Sequence, residues 1–426
     1  MPEKYKTKHV AILDHGLFAA EIGRVLAPHF GKTSVYTAWE DGFPSLYQMK
    51  IGEGYKGITR CNDFYAIKNE VDLWIFPDIL FAGLQTDLEE SGKRVWGARY
   101  GEEIENLKID FREHCKEIGV PVSPYKVVTG MTEARKYLET HEDKWLKVEL
   151  IRGNFETFHV ENLKLAEPRL QKVAHDLGPW KEKQRIIIED SFPDSVEVAF
   201  DLWSIDGLFP GLVIFGIEIK GKGYFCFIMK YEDLPWQIRD LNEKFVPTLK
   251  EYHYRSNFPV EIRINKKGEY VALDPCTREG HPVFSTKLAM IKNLPDVFWN
   301  GAEGKCIDPK FDVGVKCGME LVIFSDWAAT EPQPVYVPPK YRDAVKFRYA
   351  AEVDGVVWVL PQPLPNTTLG SITATGKSWQ ECKDKILEIK DEIKGEGIDC
   401  YVDAMDEVKA EWEKLRTDFN IDLPKL

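Results

Sequence analysis

Four apolar runs follow one another between Arg185 and Tyr231: "RIIIEDSF", "VEVAFDLWSIDG", "LVIFGIEIKG" and "YFCFIMKY". The gaps between them are too short for crossover helices, and parallel neighbours need such crossovers. This part of the chain is therefore expected to be antiparallel, with helices to one side, as an α+β unit. The first hundred residues read differently. "HVAILD", "SVYTAW", "LWIFPD" and "RVWGA" are short apolar runs separated by helical patterns. Such alternation predicts a small doubly wound α/β domain with a parallel sheet. Its first turn, "DHGLFAAEIG", lacks the glycine spacing of a dinucleotide site.

A chain of 426 residues exceeds one core, so several structural units are expected. The boundaries fall at about 1–100, 101–314 and 315–426. The last unit is a small α+β domain, and a lid-like subdomain spans about 125–195. Helical patterns cover Glu102–Ile118 and "TEARKYLETH", the latter with Thr132 as its expected N-cap. Ser378 and Glu381 have capping-box spacing before a helix whose apolar face includes Trp379, Cys382, Ile386 and Ile389.

A net charge of −13 argues against nucleic acid as the main partner. No apolar run is long enough for a membrane span, no signal-peptide core follows the first residues, and the eight cysteines are scattered. The expected setting is cytoplasmic, with reduced thiols and no membrane partner.

The chemistry concentrates in "EIRINKKGEYVALDPCTREGHPV", Glu261–Val283. Two alternating runs flank "KKGE", so a hairpin is expected, with Asp274 brought to about the level of Glu261. Two carboxylates that converge repel unless a cation lies between them, and oxygen ligands suit Mg²⁺. Upstream, Lys147 ends a strand just before the loop "IRGNFETF", where an ammonium and backbone N–H groups can meet phosphate oxygens. "IIIEDSF" ends in two acids, and Glu197 follows after a turn.

The order of these elements resembles the ATP-grasp superfamily, and within it the phosphoribosylamine–glycine ligases. "KIDFREHCKEIGVP" is similar to that family's segment beginning "SK". "IIIEDSFPDSVEVAF" is similar to "VVIEEFLxGEEAS", "DPCTREGHP" to "EFNxRFGDP", and "GSITATGKSWQEC" to "GVTALGDTLEEA". Glu261 falls where the D-alanine–D-alanine ligases have a metal-binding aspartate. The resemblance implies ATP bound between two subdomains, with Lys108, Lys147 and Arg152 on its phosphates. It places Glu189, Asp190 and Phe192 at the adenine hinge and Glu197 on the ribose. Asp274 and Glu261 would hold Mg²⁺, Cys276 stands where the family has a second ligand, asparagine, and Arg278 would face an acyl phosphate.

The implied activity is an ATP-dependent carboxylate–amine ligase, its acid being glycine or another small amino acid. Two departures fall at the family's amine pocket: "GGREHA" is here "DHGLFAAE", and "GGR" is Asn366-Thr367-Thr368. They remove close backbone approach and a guanidinium suited to a sugar phosphate. An altered amine is therefore expected, the alternatives being true phosphoribosylamine–glycine ligase activity and a non-catalytic nucleotide-binding relative. Oligomeric state is left open.

Overall fold

The structure, a computed structural model, describes residues 3–15, 17–37, 50–149, 157–361 and 368–426. The N-terminal sheet consists of β1 (His9–Asp14), β2 (Lys32–Thr37), β3 (Thr59–Arg60), β4 (Leu73–Ile75) and β5 (Arg94–Trp96). All its pairings are parallel, in the order β3-β2-β1-β4-β5. The chain thus reverses its direction of winding between β1 and β4. Helix α1 (Ala19–Leu26) follows β1 directly, because Asp14 Oδ2 accepts the N–H groups of Phe18 (2.5 Å) and Ala19 (2.6 Å). Helix α2 (Ala82–Glu90) precedes β5. The expected parallel α/β unit is present, although Ala38 and Trp39 of "SVYTAW" lie outside the described residues.

The single helix expected over Glu102–Ile118 is divided at Leu107 (φ −105°, ψ 79°) into α3 (Glu103–Asn106) and α4 (Lys108–Glu117). The break turns Glu105 toward the segment after the hairpin, where it accepts from Thr277 N at 2.8 Å.

Next come β6 (Tyr125–Thr129), α5 (Met131–Leu138), β7 (Lys144–Val148), β8 (Thr157–Val160), α6 (Leu163–Leu177) and β9 (Arg185–Asp190). Their strands form a separate antiparallel sheet, β6-β9-β7-β8. Its face packs on α5 and α6 around Met131, Leu146, Leu170 and Ile188, a core distinct from the main one. Thr132 is not the N-cap of α5. Gly130, at φ 87°, takes that place, and Met131 N donates to Lys181 O at 2.9 Å, so the chain enters the helix earlier.

The remaining elements are β10 (Ser195–Phe200), β11 (Trp203–Ile205), β12 (Leu212–Ile219), β13 (Gly223–Lys230), α7 (Trp236–Glu251), β14 (Arg255–Asn257), β15 (Val260–Asn265) and β16 (Tyr270–Pro275). Then follow α8 (Phe284–Met290), α9 (Leu294–Ala302), β17 (Cys317–Ser325), β18 (Gln333–Val335), β19 (Val345–Phe347), β20 (Ala350–Val353), β21 (Val356–Val359) and β22 (Thr368–Gly376). Helix α10 (Trp379–Glu392), β23 (Ile398–Cys400) and α11 (Ala404–Thr417) complete the chain. Among the described residues, one nine-stranded sheet runs β16-β15-β10-β12-β13-β17-β22-β19, with β23 also on β17.

The β13–β17 pairing carries this sheet across residue 314, so the last hundred residues share hydrogen bonds and core with the central unit. Ser378 caps α10 as its spacing predicts, accepting Glu381 N at 3.3 Å, while Glu381 Oε2 reaches back to Lys377 N at 2.8 Å. No helix among the described residues is long and apolar enough to cross a membrane.

Candidate active site

Strand β15 alternates inward apolar residues (Val260, Ile262, Ile264) with polar ones (Glu261, Arg263), and its partner β16 returns across "KKGE". The register sets Glu261 opposite Asp274, with an irregularity between Glu261 and Ile262 that shifts the pairing by one residue. A bulge of this kind re-aims side chains at a sheet edge. Here it brings the two carboxylates level, as the hairpin pattern predicts.

Asp274 is the meeting point. Its Oδ2 lies 2.8 Å from Lys147 Nζ at the end of β7, and Arg112 Nη2 is 3.8 Å from Oδ1. Lys147 also lies 2.8 Å from Glu189 Oε1 on β9, and Arg112 donates to Glu189 Oε2 from both Nε (2.9 Å) and Nη2 (2.7 Å). Arg112, Lys147 and Glu189 are almost wholly buried, at 1%, 3% and 5% side-chain exposure. Buried charges are tolerated only when paired and hydrogen-bonded. The four residues meet that condition by alternating sign across α4 and the two sheets.

Burial alone pushes the Asp274 carboxyl up, but Lys147 and Arg112 outweigh it and hold the group below its ordinary value. Glu261 behaves oppositely: burial, then the nearby Glu197 carboxylate, push it up to about 8 against the opposing pull of Lys220. Asp274 Oδ1 is buried and accepts no hydrogen bond.

The other expected residues have partners of their own. Lys108 starts α4, is largely buried and donates to Val148 O at 3.2 Å. Asp190 pairs with Lys144 at 2.8 Å, and Phe192 O accepts from Ser195 Oγ at 2.5 Å. Glu197, exposed on β10, lies opposite Arg263 and 3.6 Å from its guanidinium. Arg278 stands beyond the hairpin, its Nε 3.2 Å from Glu105 Oε1. Arg152 and most of "IRGNFETF" lie outside the described residues, as do Asn366 and Thr367.

Cys276 does not join the two carboxylates. Its Sγ points onto the Arg278 carbonyl at 3.6 Å, and burial beside Glu105 pushes the thiol up to about 12. A protonated thiol is a poor ligand for a hard cation. The donor set that fits Mg²⁺ is thus the orphaned Asp274 oxygen with Glu261. Among the described residues no group of three or more His, Cys, Asp or Glu is arranged to hold a metal. Two carboxylates and water are nonetheless an ordinary Mg²⁺ site, since this ion keeps several waters.

Three residues of this charge network escape the sequence reading: Arg112, Glu105 and Lys220. Arg112 lies one helical turn after Lys108, so the two share a face of α4, and its intrahelical spacing was the available signal. Lys220, just past β12, is held above its ordinary value first of all by Glu261. Nothing local in the sequence connects those two.

No protein-family model matches this sequence, and no curated protein is similar to it at a significant level. Solved structures do share its shape. The phosphoribosylamine–glycine ligase of Thermotoga maritima superposes with a TM-score of 0.69 at 16% identity, over 92% of this chain and 98% of that one. The biotin carboxylase domain of the Hydrogenobacter thermophilus 2-oxoglutarate carboxylase, solved with MgADP, ADP and bicarbonate, gives 0.65 at 14% identity, over 98% and 99%. The L-amino acid ligase of Bacillus licheniformis gives 0.57 at 16% identity, over 91% and 98%. The two-sheet clamp, the parallel N-terminal unit and the C-terminal extension of the sheet together make this an ATP-grasp fold.

Proposed function

We propose that the protein is an ATP-dependent carboxylate–amine ligase working through an acyl phosphate. The observation that carries this reading is Asp274: it closes a hairpin opposite Glu261, meets Lys147 from the four-stranded sheet and Arg112 from α4, and keeps one buried oxygen that accepts no hydrogen bond. ATP would lie between the four-stranded sheet and the hairpin. An oxygen of the substrate carboxylate attacks the γ-phosphorus and the bond to ADP breaks. The amine nitrogen then attacks the acyl carbon, and phosphate leaves.

Catalysis in such a reaction rests on positioning and on charge stabilisation. An ammonium has three donors, and Lys147 commits two of them to carboxylates, so its third is available to a phosphate oxygen. Lys108 adds a second ammonium to the same end. Glu105 holds the Arg278 guanidinium where the acyl phosphate would form. Mg²⁺ held by Asp274 and Glu261 would neutralise phosphate oxygens during the transfer. Cys276 keeps its proton and stays outside that set. Glycine or another small amino acid is the proposed acid, and the setting is proposed to be cytoplasmic.

The test is ADP release over a panel of amino acids with hydroxylamine as the trapping amine. An acyl phosphate yields a hydroxamate with one ADP released per hydroxamate. ATP binding with no acid-dependent ADP release would replace this reading with a non-catalytic nucleotide-binding protein. Turnover confined to glycine and phosphoribosylamine would return the activity to the phosphoribosylamine–glycine ligases.

A further inference from the structure

A second polar cluster neighbours Arg278. Arg348 follows β19, and its guanidinium lies over the rings of Phe18 (5.7 Å) and Tyr349 (5.8 Å). Glu320 on β17 is fully buried, at 0% exposure. Its Oε2 accepts from Val283 N (3.1 Å), Thr286 N (3.0 Å) and Thr286 Oγ1 (3.2 Å). His281, 7% exposed, places Nδ1 3.6 Å from Glu320 Oε1.

Four buried polar atoms here have no hydrogen-bond partner: Arg348 Nε, both His281 nitrogens and Glu320 Oε1. Leaving such atoms unpaired is costly, so a cluster of them implies a polar occupant.

The N-terminal sheet points to the same place. Asp14 ends β1 and Asp78 follows β4, so the two flank the point where the winding reverses. Ligands of open parallel sheets bind at the carboxyl ends of the strands at such a point. This edge docks onto the cluster: Phe18 packs edge-on against Phe284 at 4.9 Å, and Glu279 N donates to Pro77 O at 2.9 Å.

The charges select among occupants. The Arg278 guanidinium is directed to Glu105, while the Arg348 guanidinium lies beside the carboxylates of Glu320 and Asp78. A phosphate dianion would meet two acids there. A molecule with one carboxylate and one ammonium would satisfy both signs.

We propose that this cluster binds the amine substrate as an α-amino acid zwitterion, its carboxylate on Arg348 and its ammonium on Glu320 Oε1 and His281. His281 faces Glu320 from β17, Arg348 from the end of β19 and Arg278 from its own loop. Burial and the two guanidiniums hold it well below its ordinary value, so it serves as a neutral hydrogen-bonding partner. The inference rests on the ligase reading and names the class of its second substrate.

The test separates the two. Hydroxamate formation by the wild-type protein reads the ligase reading alone. With the acid thus identified, ADP release is measured with each standard α-amino acid, with its carboxamide, and with O-phosphoethanolamine. Stimulation by an α-amino acid at least about tenfold above its carboxamide is expected, and Arg348→Met should lower that ratio about tenfold through KM, with partial rescue in Arg348→Lys. Equal stimulation by the carboxamide, or preference for O-phosphoethanolamine, overturns the proposal while leaving the ligase reading intact. If no hydroxamate forms, calorimetric titration of the same amino acids into the wild-type protein and Arg348→Lys still reads the cluster. Absence of zwitterion binding then overturns it. If Arg348→Met does not fold, the wild-type comparison decides.

Discussion

Lys147 Nζ lies 2.8 Å from Asp274 Oδ2, joining residues 127 positions apart on two different sheets. The pair sits in the cleft where nucleotide phosphates are proposed to bind. Lys147→Ala should weaken ATP binding by roughly 1–3 kcal/mol, the scale of a hydrogen bond to a charged group. Calorimetry on the folded variant checks this, and an unchanged affinity would remove Lys147 from the nucleotide site.

Asp274→Asn keeps volume while removing charge. It should abolish ADP release and, by stripping a charge partner from Lys147 and Arg112, lower the melting temperature while a cooperative transition persists. Cys276→Asn should retain or raise activity and sharpen the Mg²⁺ dependence, because an amide can donate to the Arg278 carbonyl in place of the thiol and adds a hard oxygen. Titration of ADP release against Mg²⁺ reads both variants.

Arg112→Met should destabilise the fold by about 3–5 kcal/mol, the usual consequence of stripping one partner from a buried ion pair. The double variant Arg112→Met/Glu189→Gln should regain part of that loss, since it no longer buries an undercompensated carboxylate. Urea unfolding of the three proteins measures the coupling. Additive losses would show that the Arg112–Glu189 pair is not energetically linked.

Asp201 gives stability a pH dependence. Its carboxyl is buried, Tyr224 donates to its Oδ2 at 2.5 Å, and burial pushes it up from 3.8 to about 7. Between those values the folded chain binds more protons than the unfolded one, so the contribution of this group to stability falls as pH rises from about 4 to 7. The expected span is on the order of 4 kcal/mol. Asp201→Asn should flatten that slope, with a smaller difference in melting temperature between pH 5 and pH 8 than in the wild type.

Much of this architecture was legible because it is periodic or local. The hairpin, the level pairing of Glu261 with Asp274 and the Ser378 cap follow from alternation and fixed spacing. The cluster around Arg348 was not legible, because it is assembled from the ends of β1, β4 and β19, the middle of β17 and the segment before α8. Such a meeting is set by sheet order, which a residue pattern does not encode. Arg112 was hidden for a related reason: a charged residue in a polar-looking helix reads as solvated until its partner on another sheet is known. Thr132 misled because a glycine with positive φ allowed the helix to begin two residues sooner than the side-chain cap would.

The four-stranded sheet has its own apolar core, and ion pairs fasten it to the hairpin and α4 across the cleft. Two of these fasteners cross: Lys147 reaches out from it to Asp274, and Arg112 reaches in to Glu189. A jaw built this way can tilt as one piece, because parting it breaks charge pairs while its own core stays packed. Incoming phosphates would compete for Lys147, and a cation would compete for Asp274. The arriving nucleotide would thus carry the charges that unlatch the cleft it enters.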